Sequence, residues 1–184
     1  MMTKWKACKR CALSKTRKQV VIGRGSIPCD LLLIGEAPGQ AEDVMGMPFV
    51  GRSGRLLDRM LEDARGGRDV SIYITNICAC RPCDARNGPN RAPTPDEAWA
   101  CHQRLESEAA MVQAKRVVLL GKVAQKHGAA LFPDAARLSH PAFILRLGGA
   151  GCTQYAQCVR QMQEVIDEIK PQRIVPTRRS AIRS

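Results

Sequence analysis

Three short apolar runs stand out along the chain, at residues 31–34, 72–74 and 117–120. Each run is almost continuous in apolar character, which is typical of a strand that is covered on both faces of its sheet. Each is followed by a polar or glycine-containing turn. The pattern therefore predicts three buried parallel strands, and the loops after their carboxyl ends are the places to look for a functional site.

Helical patterns lie between and after these runs, over residues 53–64, from 94 onwards, over 123–131 and over 154–169. The helix from 94 has the clearest start. Thr94 can cap it, Pro95 suits its first position, and Glu97 completes a capping box. Because strands alternate with helices, we predict an α/β fold built on a parallel sheet.

The composition fits one soluble domain. The chain has 184 residues, of which 45% are hydrophobic, enough to bury a core. No apolar run approaches the ~20 residues that cross a bilayer. The first six residues lack the apolar segment of a signal peptide. We therefore predict a cytoplasmic protein that does not associate with membranes.

The net charge of +12 lies at the two ends of the chain. Residues 1–24 carry eight lysines and arginines and no acid, and residues 170–184 carry five and no acid. Between them, 16 basic residues balance 17 acidic ones. Basic ends suit a polyanion such as DNA, although a solvated tail is the alternative. We predict a domain over 1–170 and a flexible basic tail over 171–184.

Nine cysteines are many for a cytosolic protein, where clustered cysteines indicate a metal more often than a disulfide. The candidate ligands are Cys8 and Cys11 in a CxxC word, then Cys78, Cys80 and Cys83, and finally Cys101 on the capped helix. Four thiolates from distant segments could hold one metal centre. The spacing leaves a four-iron cluster, structural zinc and ordinary buried cysteines open. The other three, with no obvious partners, are interpreted as small hydrophobic residues: Cys29, Cys152 and Cys158.

Four side chains after the strands are candidates for chemistry. Glu36 follows the first strand in a Gly- and Pro-rich turn that can bring backbone N–H groups close to a ligand. Phe49 stands in a polar loop, where it either stacks on a base or fills the core. Asn76 ends the second strand, and its amide offers a donor and an acceptor that match the edge of uracil. His140, before a proline, is either structural or catalytic.

In their order along the chain, these words resemble those of the family-4 uracil-DNA glycosylases, the iron–sulfur kind. The words are CxxC, GEAPGxxED, PFVGRSGxLLD, ITNxxxCRP, APTPDE, a cysteine on the following helix, VxxLG and HPxxxLR. The resemblance covers residues 5–147. It implies one domain with a four-stranded parallel sheet flanked by helices, the three-layer sandwich of these glycosylases.

The resemblance also implies an activity. Such an enzyme flips uracil out of single- or double-stranded DNA and hydrolyses its N-glycosidic bond, which leaves an abasic site for base excision repair. We expect a monomer, and a replication or polymerase protein as a possible partner.

Roles for individual residues follow from the same resemblance. Glu36 supports the attacking water or the sugar cation, and His140 donates to the uracil O2. Phe49 stacks on the base and Asn76 reads its edge. The remaining residues expected to line the substrate site are Gly35, Ala37, Pro38 and Gly39.

The resemblance implies a [4Fe–4S] cluster, with structural zinc as the alternative. Its ligands would be Cys8, Cys11, Cys80 and Cys101. Cys78 and Cys83 are then extra.

The chain departs from the family pattern at three places. Ala142 replaces the serine of the usual His-Pro-Ser word, which removes a hydroxyl near the DNA backbone. The segment 121–140 is shorter than in typical members, where an extra strand-like stretch precedes the histidine. The loop 83–92 is longer. The short segment and Ala142 motivate one alternative, a DNA-binding or polymerase-associated factor with little activity on the same fold. A second alternative is a zinc-stabilised nucleic-acid-binding module without enzymatic function.

Overall fold

One five-stranded sheet organises the protein, for which a computed structural model describes residues 2–169. The strands are β1 (Arg24–Gly25), β2 (Leu31–Gly35), β3 (Ile72–Asn76), β4 (Arg116–Leu120) and β5 (Ala136–Leu138). Their order across the sheet is β1-β3-β2-β4-β5. The last four run parallel, whereas β1 pairs antiparallel with β3 at the edge. The predicted four-stranded parallel sheet is confirmed, with a short edge strand added to it.

Within the described residues, six α-helices connect and follow the strands. They are α1 (Gln40–Met45), α2 (Arg52–Arg65), α3 (Pro95–Val112), α4 (Gly121–Gly128), α5 (Pro141–Arg146) and α6 (Thr153–Asp167). Short 3-10 turns lie at Met2–Trp5, Ala12–Lys15 and Gly149–Gly151. Among the described residues, no helix has both the length and the apolar character needed to cross a bilayer.

The sheet lies between two helical layers because its strands are apolar on both faces. In β2, Leu31 and Leu33 pack into the cluster formed with α2, α5 and α6. The alternate residues Leu32 and Ile34 pack on the opposite face, against α3 and α4. All four side chains are buried. Since successive side chains of a strand point to opposite faces, this continuous apolar run produces a three-layer sandwich.

Helix α3 begins where its sequence predicts. The Thr94 hydroxyl accepts from the Glu97 N–H at 3.2 Å, and the Glu97 carboxylate accepts from the Thr94 N–H at 2.8 Å. This reciprocal capping box satisfies two backbone donors that the helix start leaves free. Helix α4 begins at Gly121, two residues earlier than predicted. The left-handed φ of 85° at Gly121 lets the chain turn from β4 directly into that helix.

Strand register brings the candidate loops together at one edge of the sheet. Gly35 is paired with Asn76 at the carboxyl ends of β2 and β3. The short segment 121–140 still forms α4 and then β5, which pairs with β4 up to Leu138. His140 follows two residues later, at the same edge of the sheet. The predicted basic tail, 171–184, lies outside the described residues.

Candidate active site

A cavity of about 590 Å³ opens at the carboxyl ends of the parallel strands. Its walls come from the loops after β2 and β3 and from the start of α5. Seven of the residues that the sequence singled out line this cavity: Glu36, Ala37, Pro38, Gly39, Phe49, Asn76 and His140. The topology therefore gathers side chains that lie more than a hundred residues apart in the sequence.

Gly35, the eighth predicted residue, lies directly behind the lining. A methyl group on its Cα would fall 2.5 Å from Asn76 Oδ1 and 2.5 Å from Phe49 Cζ. Both distances are too short for any real contact, so a side chain at this position would displace one neighbour or the other. The absence of a side chain at Gly35 lets the Asn76 amide and the Phe49 ring approach each other across the strand end.

Phe49 is held in an unusual backbone conformation. Its φ is 55°, in the left-handed region that a bulky residue rarely occupies. The helix start packs against this turn so closely that a Cβ on Gly54 would lie 1.9 Å from the Phe49 carbonyl oxygen. The ring is 6% exposed and belongs to the main apolar cluster, yet it also lines the cavity. The two interpretations of Phe49 are therefore compatible, because the ring both packs in the core and lines the cavity.

His140 acts as the N-cap of α5 through its own ring. Its Nδ1 accepts the backbone N–H of Ala142 at 3.1 Å. Burial lowers the pKa of His140 to about 4; the Arg146 charge adds to this shift and the Glu42 charge opposes it. The ring is therefore neutral near pH 7. Since Nδ1 is the acceptor, the proton resides on Nε2, which makes that atom a hydrogen-bond donor. The Phe49 ring lies beside the imidazole, 5.9 Å between centroids.

Glu36 places a carboxylate on the cavity wall at the end of β2. Burial raises its pKa above the usual value for a glutamate. Its backbone carbonyl accepts the N–H of Cys78 at 3.0 Å, which fixes the strand end from which the side chain projects. A partly desolvated carboxylate of this kind interacts more strongly with a nearby cation than one in water does.

Glu42 holds the two cavity loops together, a role that the sequence reasoning missed. One carboxylate oxygen accepts the N–H groups of Val50 and Gly51 at 3.0 and 2.8 Å, and the other accepts that of Gly39 at 3.1 Å. Glu42 lies in the first turn of α1, where carboxylates commonly bind free backbone donors. The signal that could have revealed this role is the pair of acids, Glu42 and Asp43, just after a Gly- and Pro-rich turn.

The second acid of that pair braces the N-terminal arm. Asp43 is 1% exposed. Its carboxylate accepts the backbone N–H groups of Lys18, at 2.9 and 3.0 Å, and of Gln19, at 3.4 Å. The arm is thus attached to the same short helix that positions the cavity loop.

The rim of the cavity carries polar and cationic side chains that were not singled out. The polar and cationic rim residues are Arg52, Ser53, Asn90, Arg91 and Arg146, and the apolar Phe143 lies among them. The buried guanidinium of Arg81 donates to Asn90 Oδ1 at 2.5 Å, which orients that amide. A cationic rim around a half-buried cavity is suited to a substrate with phosphates on either side of the group that enters.

The four predicted cysteine ligands lie in one region, where the arm meets α3. Cys80 is buried in a small apolar cluster, and Cys11 and Cys101 pack against it. Arg17 connects this group to Cys8, since it donates to the Cys8 carbonyl at 2.5 Å and to Cys80 Sγ at 3.3 Å. Within residues 2–169, no three cysteine, histidine or acidic side chains converge on a point in the geometry of a metal site.

The surroundings of these thiols nevertheless fit a thiolate-bound centre. The hydrogen bond from the Cys78 thiol, with the Arg104 charge and the Ala79 N–H, lowers the pKa of Cys101 to about 5 against the effect of burial. Burial raises the pKa of Cys11, and that of Cys80 to about 12. Buried thiols of that kind become good thiolates only when a cation is bound among them.

Comparison with known proteins gives a family. Residues 22–163 match the sequence model of the Uracil DNA glycosylase superfamily. A Type-4 uracil-DNA glycosylase of Thermotoga maritima is 39% identical over 119 residues, 65% of this chain and 59% of that protein. One from Archaeoglobus fulgidus is 39% identical over 118 residues, 64% and 56% respectively. The Type-4 enzyme of Sulfurisphaera tokodaii is 36% identical over 121 residues, 66% and 53%. The chain thus spans little more than half the length of these relatives.

Proposed function

We propose, because this chain belongs to the Uracil DNA glycosylase superfamily, that it is a uracil-DNA glycosylase. Its substrate would be uracil in single- or double-stranded DNA, and its product an abasic site. One observation carries the proposal: a carboxylate, an aromatic ring, an amide and a neutral imidazole donor line a single cavity at the carboxyl edge of the sheet.

Recognition of the base would rest on Asn76 and Phe49. The base must leave the stack to enter the cavity, since its glycosidic bond is out of reach inside a duplex. The ring of Phe49 gives the flipped base a surface on which to stack. The Asn76 amide pairs with the O4 and N3–H edge of uracil. Cytosine presents a donor where uracil presents an acceptor, so an amide in one fixed orientation rejects it.

Cleavage would proceed with charge separation across the C1′–N1 bond. The bond breaks, its electron pair stays on uracil, and the sugar becomes an oxocarbenium-like cation. His140 Nε2–H donates to the uracil O2, where negative charge develops. Glu36 faces the cation, and it accepts the proton of the water whose oxygen bonds to C1′. Preorganised donors and charges of this sort supply most of such a barrier reduction.

A [4Fe–4S] cluster would be held by Cys8, Cys11, Cys80 and Cys101. Such a cluster, when bound, supplies four iron–thiolate bonds that cross-link the arm to α3. Two hydrogen-bond donors lie beside these sulfur atoms: Arg17 donates to Cys80 Sγ, and the Ala79 N–H donates to Cys101 Sγ at 3.4 Å. Zinc at the same thiols is the alternative, and metal analysis of the anaerobically purified protein separates the two.

The test is single-turnover excision from a uracil-containing oligonucleotide, followed by alkaline cleavage at abasic sites. The parent chain should release uracil, and His140→Ala should be ~10²–10³-fold slower, the usual cost of a lost transition-state donor. Glu36→Gln should also slow the reaction, and Asn76→Asp should lose uracil excision. His127→Ala on α4 and Glu106→Gln on α3 are the matched controls, because neither residue lines the cavity.

Two results would contradict the proposal. Parental rates in both His140→Ala and Glu36→Gln would show that the catalytic assignment is wrong. A parent chain that binds DNA but releases no uracil from any substrate would favour a DNA-binding factor on the same fold.

A further inference from the structure

Arg104 is a buried cation that lies outside the cavity lining and whose charge also acts on the proposed ligand Cys101. It lies in the middle of α3, is 2% exposed, and points at the carboxyl end of β3. Its Nη2 donates to the carbonyl oxygens of Asn76 and Ile77, both at 2.6 Å. Burying a charge is costly unless it gains such contacts, so its location there calls for a reason.

The charge of Arg104 is balanced by an equally buried partner. Its Nη1 donates to Glu108 Oε2 at 2.5 Å and to Thr75 Oγ1 at 3.1 Å. Glu108 is 0% exposed and also accepts from the Tyr73 hydroxyl at 2.8 Å. The pair therefore joins one helix to Tyr73, Thr75 and Asn76 of β3 and to Ile77 just beyond it. These contacts include the residue whose side chain lines the cavity.

We propose that Arg104 is a positioning residue for base recognition, which fixes the backbone at Asn76 and so aims its amide into the cavity. The inference rests on the function proposed above and concerns the same site. Two short charge-assisted bonds hold the carbonyls of two successive peptides, Asn76–Ile77 and Ile77–Cys78. On its other side the Asn76 amide abuts Gly35, where a Cβ would lie 2.5 Å from Oδ1. Arg104 thus holds the backbone of Asn76, while the amide lies against Gly35.

A guanidinium is the group that this position requires. Its planar fork reaches the two carbonyls with one nitrogen while the other nitrogen serves Glu108 and Thr75. A lysine ammonium is a single point charge, which cannot keep all four contacts. Arg104→Lys therefore preserves the charge that balances Glu108 but releases the peptide after Asn76.

The first measurement observes Asn76 directly and requires no turnover. In the free protein, NMR relaxation of the Asn76 side-chain amide should report a rigid group in the parent and a mobile one in Arg104→Lys. Tyr73→Phe is the matched control, because it removes a bond to Glu108 without touching the Asn76 carbonyl. Equal amide mobility in the parent and Arg104→Lys would overturn the inference.

The second measurement asks whether Arg104 acts through Asn76. Binding of free uracil should weaken about tenfold in Arg104→Lys, as expected from one lost charge-assisted bond. Affinity for DNA with an abasic site, which has no base to read, should not change. In an Asn76→Ala background, Arg104→Lys should cost nothing further, since the two changes then share one effect. Additive losses in that double-mutant cycle would mean that Arg104 is merely structural.

A second variant tests the same inference if Arg104→Lys does not fold. Arg104→Gln combined with Glu108→Gln removes both charges and leaves no buried ion unpaired. It should show the same mobile Asn76 amide and weakened uracil binding; an unchanged amide would again overturn the inference. If the parent itself neither binds nor releases uracil, the proposed function fails, while the relaxation comparison still judges the role of Arg104.

Discussion

At the scale of single residues, the chemistry of this site depends on bonds that are not themselves catalytic. His140 uses one ring nitrogen to cap its own helix, and that bond determines which nitrogen carries the proton. Glu42 uses both oxygens to hold loops. The sequence predicted which residues line the cavity, because polar side chains after buried strands are conspicuous. It could not predict the tautomer of His140 or the bonds by which Glu42 holds the loops, since both depend on the backbone positions of the folded loops.

The depressed pKa of His140 leads to a prediction about pH. In the folded protein the His140 ring is already neutral at pH 7. The excision rate should therefore show no titration step near the ordinary histidine pKa of ~6.5. Any fall in rate with falling pH should come from protonation of Glu36, whose pKa burial raises. The stability that comes from keeping His140 neutral is complete above ~6.5 and is lost as the pH falls towards 4.

Nitrogen-detected NMR of the imidazole checks both the pKa and the tautomer. It should show Nε2–H and a titration midpoint near pH 4. A His140 midpoint close to that of a surface histidine, or an Nδ1–H tautomer, would contradict the prediction.

Gly35 yields a prediction about space. In Gly35→Ala the new methyl group would meet the Asn76 amide and the Phe49 ring at 2.5 Å, so one of them must leave its position. We expect uracil excision to fall ~10–100-fold, the equivalent of the few kcal/mol that overpacking costs. Binding to abasic DNA should remain near the parental value.

Gly151→Ala is the control for that change, because a Cβ at Gly151 meets nothing within 4 Å. Measurement of single-turnover rates for the two variants decides the matter. If Gly35→Ala excises uracil as fast as Gly151→Ala, the close approach of Asn76 and Phe49 does not influence the excision rate.

At the scale of elements, the sequence predicted the long helices well and the short ones poorly. The start of α3 could be read from Thr94, Pro95 and Glu97 because a capping box is a local signal, and the structure confirms it. Helices α1 and α5 have six residues each and give too little periodicity to be recognised. Strands β1 and β5 have two and three residues, and pairing with the sheet rather than their own sequence determines them.

The proposed iron–sulfur centre lies at the junction between the N-terminal arm and α3, and it leads to a prediction about iron content. Serine at Cys8, Cys11, Cys80 or Cys101 should lower iron content and solubility, because each change removes a ligand from the proposed centre. Cys158→Ser, in the core between α6 and the sheet, should leave iron content unchanged.

Iron analysis and visible absorption provide the measurement. The parent protein should be yellow-brown, with about four irons per chain. Colourless protein with one zinc per chain after anaerobic purification would contradict the cluster. Full iron content in Cys80→Ser with loss of iron in Cys78→Ser would assign the third ligand to Cys78, whose thiol contacts Cys101.

At the scale of the whole molecule, the topology forms the cavity, whereas the excess charge lies elsewhere. The parallel strands bring loops from residues 35, 76 and 140 to one edge, and the family words along residues 5–147 allowed that arrangement to be predicted. The order of strands and the presence of β5 in a shortened segment were not readable, because hydrogen bonding to β4 completes that strand. The excess positive charge belongs instead to the ends of the chain.

That charge distribution predicts a strong effect of salt on DNA binding. Each lysine or arginine that meets a phosphate releases counterions, so affinity should fall steeply as salt rises. Deleting residues 173–184, which lie outside the described residues, should weaken binding more than it slows excision. Titrations at several salt concentrations test this, and an unchanged slope after truncation would show that the tail does not contact DNA.

The meeting of the arm with α3 also has a consequence for synthesis of the protein. About ninety residues of chain separate Cys11 from Cys101. At ~5–20 residues per second, the ribosome takes about 5 to 20 s to produce the second segment after the first. During that interval the arm thiols are in solution without the buried neighbours that enclose them later. The proposed centre, shared by both segments, could be completed only after α3 has emerged, so the nascent chain would pass through a stage in which its first two cysteines are open to oxidants.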